Sequence, residues 1–358
     1  YHYGDAFGTF IAVGRNVTDG KMKAMNIFSG ANIWEDSATG ADEKILCTGE
    51  YGDGNLYAGC KTVGSGSSMF KKSTGGAFSD IGTFNSDAGI YQIVSYPDGN
   101  CMYLFTRNGG IYHVANGGTT FTQKKSSYPY STNLTFWSPY GQNGQAAWLV
   151  GDRIYFILRE SNLWKAQLWA YDIGDDAYIH IYTFGAGINP SKLIEFNGNL
   201  YLFDTNKNIN RLQIWKYTVF TSSMERIHEI GRVGDTSTIK GNPVKDGESI
   251  YFVVDDGSSD YQIWQLDPND NIFSGITPPA AFSSAVSMLG MSGQGNLAIF
   301  LNGASGTNLI DEYDAKPNND RQTTGFITTN IFDADIPALD KLFYDATITF
   351  DVLVSGQT

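Results

Sequence analysis

Charge is scarce in this chain, and most of it is negative. Asp, Glu, Lys and Arg make up 17% of 358 residues, with 24 basic side chains against 37 acidic ones and a formal net charge of −13. Thinly scattered Lys and Arg exclude a nucleic-acid-binding face, which needs a basic patch to meet phosphates. No run of about 18 apolar residues occurs, so no helical membrane span is expected. There are three cysteines, Cys47, Cys60 and Cys101, an odd number in no metal spacing. They read as small buried hydrophobes rather than a disulfide framework. The four histidines, His2, His113, His180 and His228, are isolated from one another and from Cys or Asp at ligand spacing, so no metal site is expected from them. A P-loop, a dinucleotide fingerprint and a Ser nucleophile elbow are all missing. The start, Tyr1-His-Tyr-Gly-Asp, has neither Met nor a signal-peptide pattern and reads as the middle of a longer chain.

What the chain has is glycine, 41 copies, and aromatics at 14%. They recur in a pattern. Short aromatic-aliphatic segments follow Gly/Asp/Asn turns: Asn55-Leu-Tyr57-Ala, Cys101-Met-Tyr103-Leu-Phe, Arg153-Ile-Tyr155-Phe-Ile, Asn199-Leu-Tyr201-Leu-Phe, Ser249-Ile-Tyr251-Phe-Val and Asn296-Leu-Ala298-Ile-Phe. From Tyr57 the central positions step by 46, 52, 46, 50 and 47 residues, and one step of 45 back lands on Ala12 in Phe10-Ile-Ala-Val13. A fixed period in the forties, made of strands and turns, marks a β-propeller. An apolar strand precedes each turn, as in Ile90-Tyr-Gln-Ile-Val94. The turns, among them Asp53-Gly54, Asp98-Gly99 and Asn197-Gly198, suit two-residue hairpins. Ile154-Tyr-Phe-Ile-Leu158 is apolar on both faces, as a strand between neighbouring sheets must be. Gln167-Leu-Trp-Ala-Tyr171, Gln213-Ile-Trp-Lys-Tyr217 and Gln262-Ile-Trp-Gln-Leu266 give a third strand whose tryptophans are in register. Glu225-Arg-Ile-His-Glu-Ile230 is a polar outer edge, charged against edge-to-edge pairing.

The expected fold is therefore all-β: a seven-bladed β-propeller of four-stranded antiparallel blades over residues 1–320, plus a C-terminal β segment over 321–358. The first blade opens at its second strand, Phe10 to Val13, and lacks an inner strand. Residues 343–354 either begin a separate β-sandwich or supply that strand and close the ring.

Two resemblances bear on this. Val114-Ala-Asn116-Gly117-Gly118-Thr119-Thr120-Phe121 resembles the Asp-box turn of sialidases and other propellers, with Asn116 for the Asp and Phe121 for the Trp; Ser73-Thr-Gly-Gly-Ala-Phe78 is a more degraded copy. That resemblance implies a structural hairpin on the outside of a blade. The ordered set Ile327-Thr-Thr-Asn330, Phe332-Asp333, Pro337, Lys341 and Phe343 is similar to a segment of tailed-phage structural proteins, where it follows a propeller-like region and opens a small β-sandwich. The resemblance covers about the last 35 residues. It implies a virion component and brings no catalytic residue with it.

Chemistry is thin. A sialidase needs three arginines converging on a carboxylate, but Arg15, Arg107, Arg153, Arg159, Arg211, Arg226, Arg232 and Arg321 do not recur at inner-strand starts. The paired carboxylates Glu35-Asp36, Asp42-Glu43, Asp175-Asp176 and Asp255-Asp256 fall in polar, turn-like segments. No cofactor is expected; structural Ca²⁺ is the one ion with clustered oxygens to hold it, at Asp267-Pro-Asn-Asp270-Asn271 and Asp255-Asp-Gly-Ser-Ser-Asp260, neither of which matches a calcium loop. A long insertion between Lys125 and Ala146 carries Trp137 with Tyr128, Tyr130 and Tyr140. These are the candidate contacts for a glycan or a partner, since insertions map to binding loops; the competing reading is that they pack the loop onto the blades. Trp169, Trp215 and Trp264 read as blade core.

The expectation is a non-enzymatic structural component of the phage particle's exterior, in the tail, tail tip or host-adhesion apparatus. Its partners would be other virion proteins, further copies of itself in a symmetric oligomer, and a host surface glycan. The alternative is a secreted or surface propeller that binds or cleaves glycans.

Overall fold

Aromatic and β-branched residues favour extended backbone, and their spacing sets out a series of antiparallel meanders. The structure, a computed structural model, describes backbone elements between residues 2 and 313 and side chains in stretches between residues 46 and 272. The chain divides into two units, Tyr1–Tyr313 and Asp314–Thr358. The second lies outside the described residues, and with it the phage-like set from Ile327 to Phe343 and the strand expected over 343–354.

Sheet 1 runs β1 (His2–Ala6), β2 (Thr9–Arg15), β3 (Met22–Asn26), β4 (Asn32–Asp36). Sheet 2 runs β5 (Glu43–Gly49), β6 (Leu56–Thr62), β7 (Ser68–Ser73), β8 (Ser79–Phe84). Sheet 3 runs β9 (Ile90–Tyr96), β10 (Cys101–Thr106), β11 (Ile111–Val114), β12 (Phe121–Lys125). Sheet 4 has β13 (Leu134–Phe136), β14 (Ala147–Val150), β15 (Arg153–Glu160), β16 (Lys165–Asp172) and β17 (Ala177–Thr183). Sheet 5 runs β18 (Pro190–Phe196), β19 (Asn199–Asn206), β20 (Arg211–Thr218), β21 (Ser223–Ile230). Sheet 6 runs β22 (Thr238–Lys245), β23 (Ile250–Asp255), β24 (Tyr261–Asp267), β25 (Ile272–Gly275). Sheet 7 has β26 (Val286–Met291), β27 (Leu297–Asn302) and β28 (Asn308–Tyr313).

Strand order within each sheet follows chain order, except that in sheet 4 β13 and β14 both pair with β15, and every pairing is antiparallel. No helix occurs among the described residues. The first strand of each sheet lies beside the first strand of the next, from β1 and β5 through to β22 and β26. Sheets arranged this way form a propeller of mostly four-stranded antiparallel blades, with first strands innermost.

The core sits between sheets. Tyr57, Tyr155, Tyr201, Phe105, Phe156, Phe203 and Phe252 are all under 2% exposed. Alternate residues of a second strand point to opposite faces, and each face meets a different neighbour. Phe105 of sheet 3 meets Phe156 of sheet 4 at 5.3 Å between ring centroids, and Phe203 of sheet 5 meets Phe252 of sheet 6 at 4.9 Å. Each such ring contributes about 2–3 kcal/mol by burial.

One departure from expectation is at the beginning. Sheet 1 does have an inner strand: β1 pairs with β2 in continuous register from His2↔Val13 to Ala6↔Thr9. A single Asp-Ala step before Phe7-Gly8 hid it, because β1 carries only one aromatic beyond its terminal His. Sheet 1 thus reaches four strands without residues 343–354. The Asp-box-like turn joins β11 to β12, closed by Ala115 N–H donating to Thr120 O at 3.0 Å. Phe121 packs against the cluster of Ile90, Met102 and Val114. Residues 116–119 and the weaker copy at 74–78 lie outside the described residues.

Turn chemistry follows the sequence. Asn197 and Gly198 both have positive φ, 48° and 75°, as a two-residue hairpin of the primed type requires. Gly110, between β10 and β11, has φ 89°, and a Cβ there would stand 2.1 Å from the Lys125 carbonyl oxygen. Around Gly198 nothing lies within 4 Å of the same position. Gly110→Ala is therefore expected to destabilise the protein by about 3 kcal/mol or more, and Gly198→Ala by about 1 kcal/mol. Denaturant unfolding of both variants checks this; equal costs would mean that backbone conformation, not the Lys125 contact, sets the penalty at Gly110.

Candidate functional site

Inner strands line a propeller's axis, so the polar groups they carry are the first place to look for a site. Their registers share an irregularity. β5 slips against β6 between Ile45 and Cys47, β18 against β19 between Pro190 and Lys192, β22 against β23 between Lys240 and Val244, and β26 against β27 between Val286 and Met288. In sheet 3 the slip adds Tyr91 between Ile90 and Gln92. These bulges occupy one level. The residues beside them, Cys47, Gln92, Lys192 and Lys240, pair with Gly59, Phe105, Phe203 and Val253, each two residues beyond the tyrosine of its repeat. A bulge re-aims side chains and frees backbone groups.

Hydrogen bonds tie neighbouring inner strands at this level. Cys47 Sγ donates to Ile90 O at 3.4 Å. Gln92 Oε1 accepts from Ala146 N–H at 3.1 Å. Lys192 Nζ donates to Asn242 Oδ1 at 2.9 Å. Gln92 and Lys192 are 8% and 2% exposed. Burial lowers the Lys192 pKa to about 7, because removing an ammonium from water disfavours its charged form. Such an amine can accept a proton or attack a carbonyl, but here it is enclosed and bonded across two sheets.

The insertion in sheet 4 uses the same level. β13 pairs with Leu158–Glu160 and β14 with Arg153–Phe156, on the same side of β15. Ile157 N–H donates to Ala146 O between them at 2.9 Å. Residues 137–145, which connect these two strands, lie outside the described residues.

Of the contact candidates, Tyr128 is 2% exposed. Its hydroxyl donates to Thr106 O at 2.5 Å and to Gly110 O at 3.3 Å, and its ring lies 6.0 Å from Phe156. A ring so enclosed offers no face to a sugar; Tyr128 packs the start of the insertion onto sheets 3 and 4. Tyr130, Trp137 and Tyr140 lie outside the described residues.

The acidic pairs are distributed differently from the turn-like reading. Glu35 and Asp36 end β4, Glu43 opens β5 and Asp255 ends β23. Asp176 is in a turn, where the Tyr171 hydroxyl and Lys125 Nζ bond its carboxylate at 2.8 and 3.2 Å. Burial opposes ionisation there, but these two partners outweigh it and hold the pKa below its ordinary value. Asp172 binds Arg153 at 2.9 Å. Asp267 Oδ1 accepts from the N–H of Asn269 and Asp270 at 2.8 and 3.4 Å, which directs it to its own turn. Glu229 accepts from Arg211, Gln213 and Arg226 on the outer strands of sheet 5. Among the described residues no three of His, Cys, Asp and Glu cluster as metal ligands. None of the three cysteines is in a disulfide, and all are buried.

Gln92, Lys192 and Asn242 were missed in the sequence. Gln92 sits inside the apolar run Ile90–Val94, and Lys192 and Asn242 stand among ordinary polar strand residues, so their contacts with neighbouring strands leave no signal in the sequence.

Comparison with protein-family models and with curated proteins finds no match. Among solved structures, the chain is similar to one in the mitotic checkpoint complex, with 14% identity over 88% of this chain and 91% of that one and a TM-score of 0.53. It is similar to the WD40 repeats of RRP9, at 10% identity over 82% and 83% and a TM-score of 0.54. A 6-phosphogluconolactonase homologue from Bacteroides uniformis matches at 13% identity over 85% and 94%, with a TM-score of 0.53. At these identities the likeness is one of fold, the β-propeller.

Lys192 yields a test with a definite sign. Its amine binds protons less readily when folded, at about 7, than in the unfolded chain, near 10.4. Between these values the unfolded state holds more protons, so stability gains from rising pH with a slope of up to about 1.4 kcal/mol per unit. Lys192→Met removes this component. The stability difference between wild type and variant, from denaturant melts at pH 7, 8 and 9, should shift steadily in favour of wild type; a difference independent of pH would place the amine in water.

Proposed function

We propose that this chain is a non-enzymatic structural component of a phage virion, belonging to the tail, tail tip or host-adhesion apparatus on the particle's exterior. The observation that carries this reading is the ordered set Ile327-Thr-Thr-Asn330, Phe332-Asp333, Pro337, Lys341 and Phe343 following a propeller. We also propose that the sheets close into one seven-bladed ring. The near-constant period and the run of adjoining first strands support this. A closed ring is stiff and exposes few sheet edges, which suits a scaffold that contacts other virion proteins in a symmetric assembly.

The interior supports a scaffold over a catalyst. Cys47, Gln92 and Lys192 bond across to the next inner strand, which holds blades together. Of the described carboxylates, Asp172, Asp176 and Glu229 are engaged by Arg, Lys or Tyr on the second to fourth strands, and Glu195 by Lys245 on the inner strands.

One observation favours a second reading, a propeller that binds or cleaves glycans. The strands on either side of the segment that carries Trp137 and Tyr140, β13 and β14, both pair with the inner side of β15, and ligand sites favour concave places where several elements meet. The two readings separate experimentally. Mass spectrometry of purified particles from the source, with heads and tails fractionated, is expected to find these peptides in tails. A free soluble species of about this length that binds sugar and loses it on Trp137→Ala would overturn the virion reading.

A further inference from the structure

Three hairpins join third to fourth strands in sheets 4, 5 and 6, and their four-residue turns correspond residue for residue in register. Asp176, Ser222 and Asn271 hold the same position, with φ of 47°, 53° and 53°. Counting back, Ile173, Val219 and Pro268 correspond, and so do Gly174, Phe220 and Asn269. The first set points inward: Ile173 packs on the cluster around Phe156, Val219 on the cluster around Tyr217, and Pro268 is buried. The second set points out. Gly174 and Asn269 suit a solvated tip; Phe220 does not, at 97% exposure. The turn geometry does not call for a phenyl ring, since its two counterparts make the same turn with glycine and asparagine.

The sheet 5 turn also differs in charge. Its counterparts are capped by carboxylates: Asp172 accepts from Asp175 N–H at 3.1 Å, and Asp267 from Asn269 N–H at 2.8 Å. Thr218, Val219, Phe220, Thr221, Ser222 and Ser223 carry no charge, and Thr221 and Ser223 hydroxyls bond to each other at 2.7 Å. An aromatic, uncharged tip thus stands between two acidic ones, bearing Asp175 on one side and Asp270 on the other. On the next sheet Ile272, 56% exposed, begins the strand after the same turn.

We infer that the Phe220 hairpin is a docking tip that inserts its ring into an apolar pocket of a protein partner whose rim is basic. This rests on the interaction-scaffold reading and names a contact within it. A single well-exposed aromatic that fills a pocket is the usual anchor of an interface. The acidic flanks select the rim's sign. They also argue against an anionic lipid surface and against the same tip of a second copy, whose flanks carry the same sign.

The test is photocrosslinking in the source cells with the full-length protein carrying Phe220→p-benzoylphenylalanine, and Asn269→p-benzoylphenylalanine as control. The expected result is one cross-linked protein, at about tenfold the control yield, linked through a peptide with apolar residues beside Lys or Arg. Equal yields at the two positions, a link to another copy of this chain, or a link to lipid would overturn the inference. Phe220→Ser should leave the melting temperature within about 1–2 °C, since the ring holds nothing in the fold; a larger drop would assign the ring to stability and likewise overturn it. A partner that is not a virion protein would refute the virion reading and leave the tip standing. Presence in tails with equal crosslinking at both positions would do the reverse.

Discussion

Burial of the second strand on both faces constrains everything else in this fold. Leu200 to Phe203, Ile154 to Leu158 and Tyr251 to Val254 have no exposed member. A lone sheet with such a strand would leave one apolar face in water, at about 25 cal/mol per Å². Each sheet therefore needs a sheet on either side. Sheets that are all flanked in this way, and that twist, fan around an axis. The rings do the spacing: Tyr155 meets Tyr217 at 5.8 Å, and Phe105 meets Phe156. The propeller is a consequence of two-faced strands, and the repeat period records how often the chain must supply one.

The axis is where that packing has to change. Sheets converge there, and the inner strand faces its like on both sides. Bulges at one level in sheets 2, 3, 5, 6 and 7 relieve the regular ladder. The groups they release are satisfied between sheets, by Cys47, Gln92 and Lys192. In sheet 4 the same level is the break between β13 and β14, where Ile157 N–H bonds Ala146 O. An insertion at an existing break in the ladder costs few hydrogen bonds, which explains why the 52-residue repeat keeps its strands.

The period, the tyrosine strands and the third-strand tryptophans were legible in the sequence because they depend on local alternation. The Gln-x-Trp motif was legible too, though not its hydrogen bond: Trp169 Nε1 donates to Gln167 Oε1 at 2.9 Å and Trp264 Nε1 to Gln262 Oε1 at 3.1 Å. The strand β1 was not legible, since His2-Tyr-Gly-Asp-Ala6 has weak strand propensity and is placed by its partner. Neither were the bulges. A slipped register leaves the alternation intact on both sides and changes only which residue faces which. Lys192 looked like an ordinary strand lysine for that reason. Tyr128 looked like a loop aromatic, and only the tertiary contact with Thr106 and Gly110 shows it to be a buried anchor.

A repeat protein carries its own controls. Where equivalent positions agree, the residue serves the shared fold; where one copy departs, another demand is acting on it. Sheet 5 departs twice. Gln213 donates to Glu229 at 2.8 Å rather than accepting from its tryptophan, and neither Gln213 Oε1 nor Trp215 Nε1 has a hydrogen-bond partner. Leaving a buried donor and acceptor unpaired costs about 1–3 kcal/mol each. The same sheet replaces a carboxylate-capped turn with an exposed phenylalanine. Both changes act against the stability or solubility of sheet 5, and neither is needed to build a blade, since sheets 4 and 6 are built without them. Unpaired buried atoms are not confined to sheet 5, since Asn271 Oδ1 at the sheet 6 turn has no hydrogen-bond partner either. The exposed ring is different: Phe220 is 97% exposed where its counterparts are glycine and asparagine, so the phenyl group is the feature of this blade that the shared fold leaves unexplained.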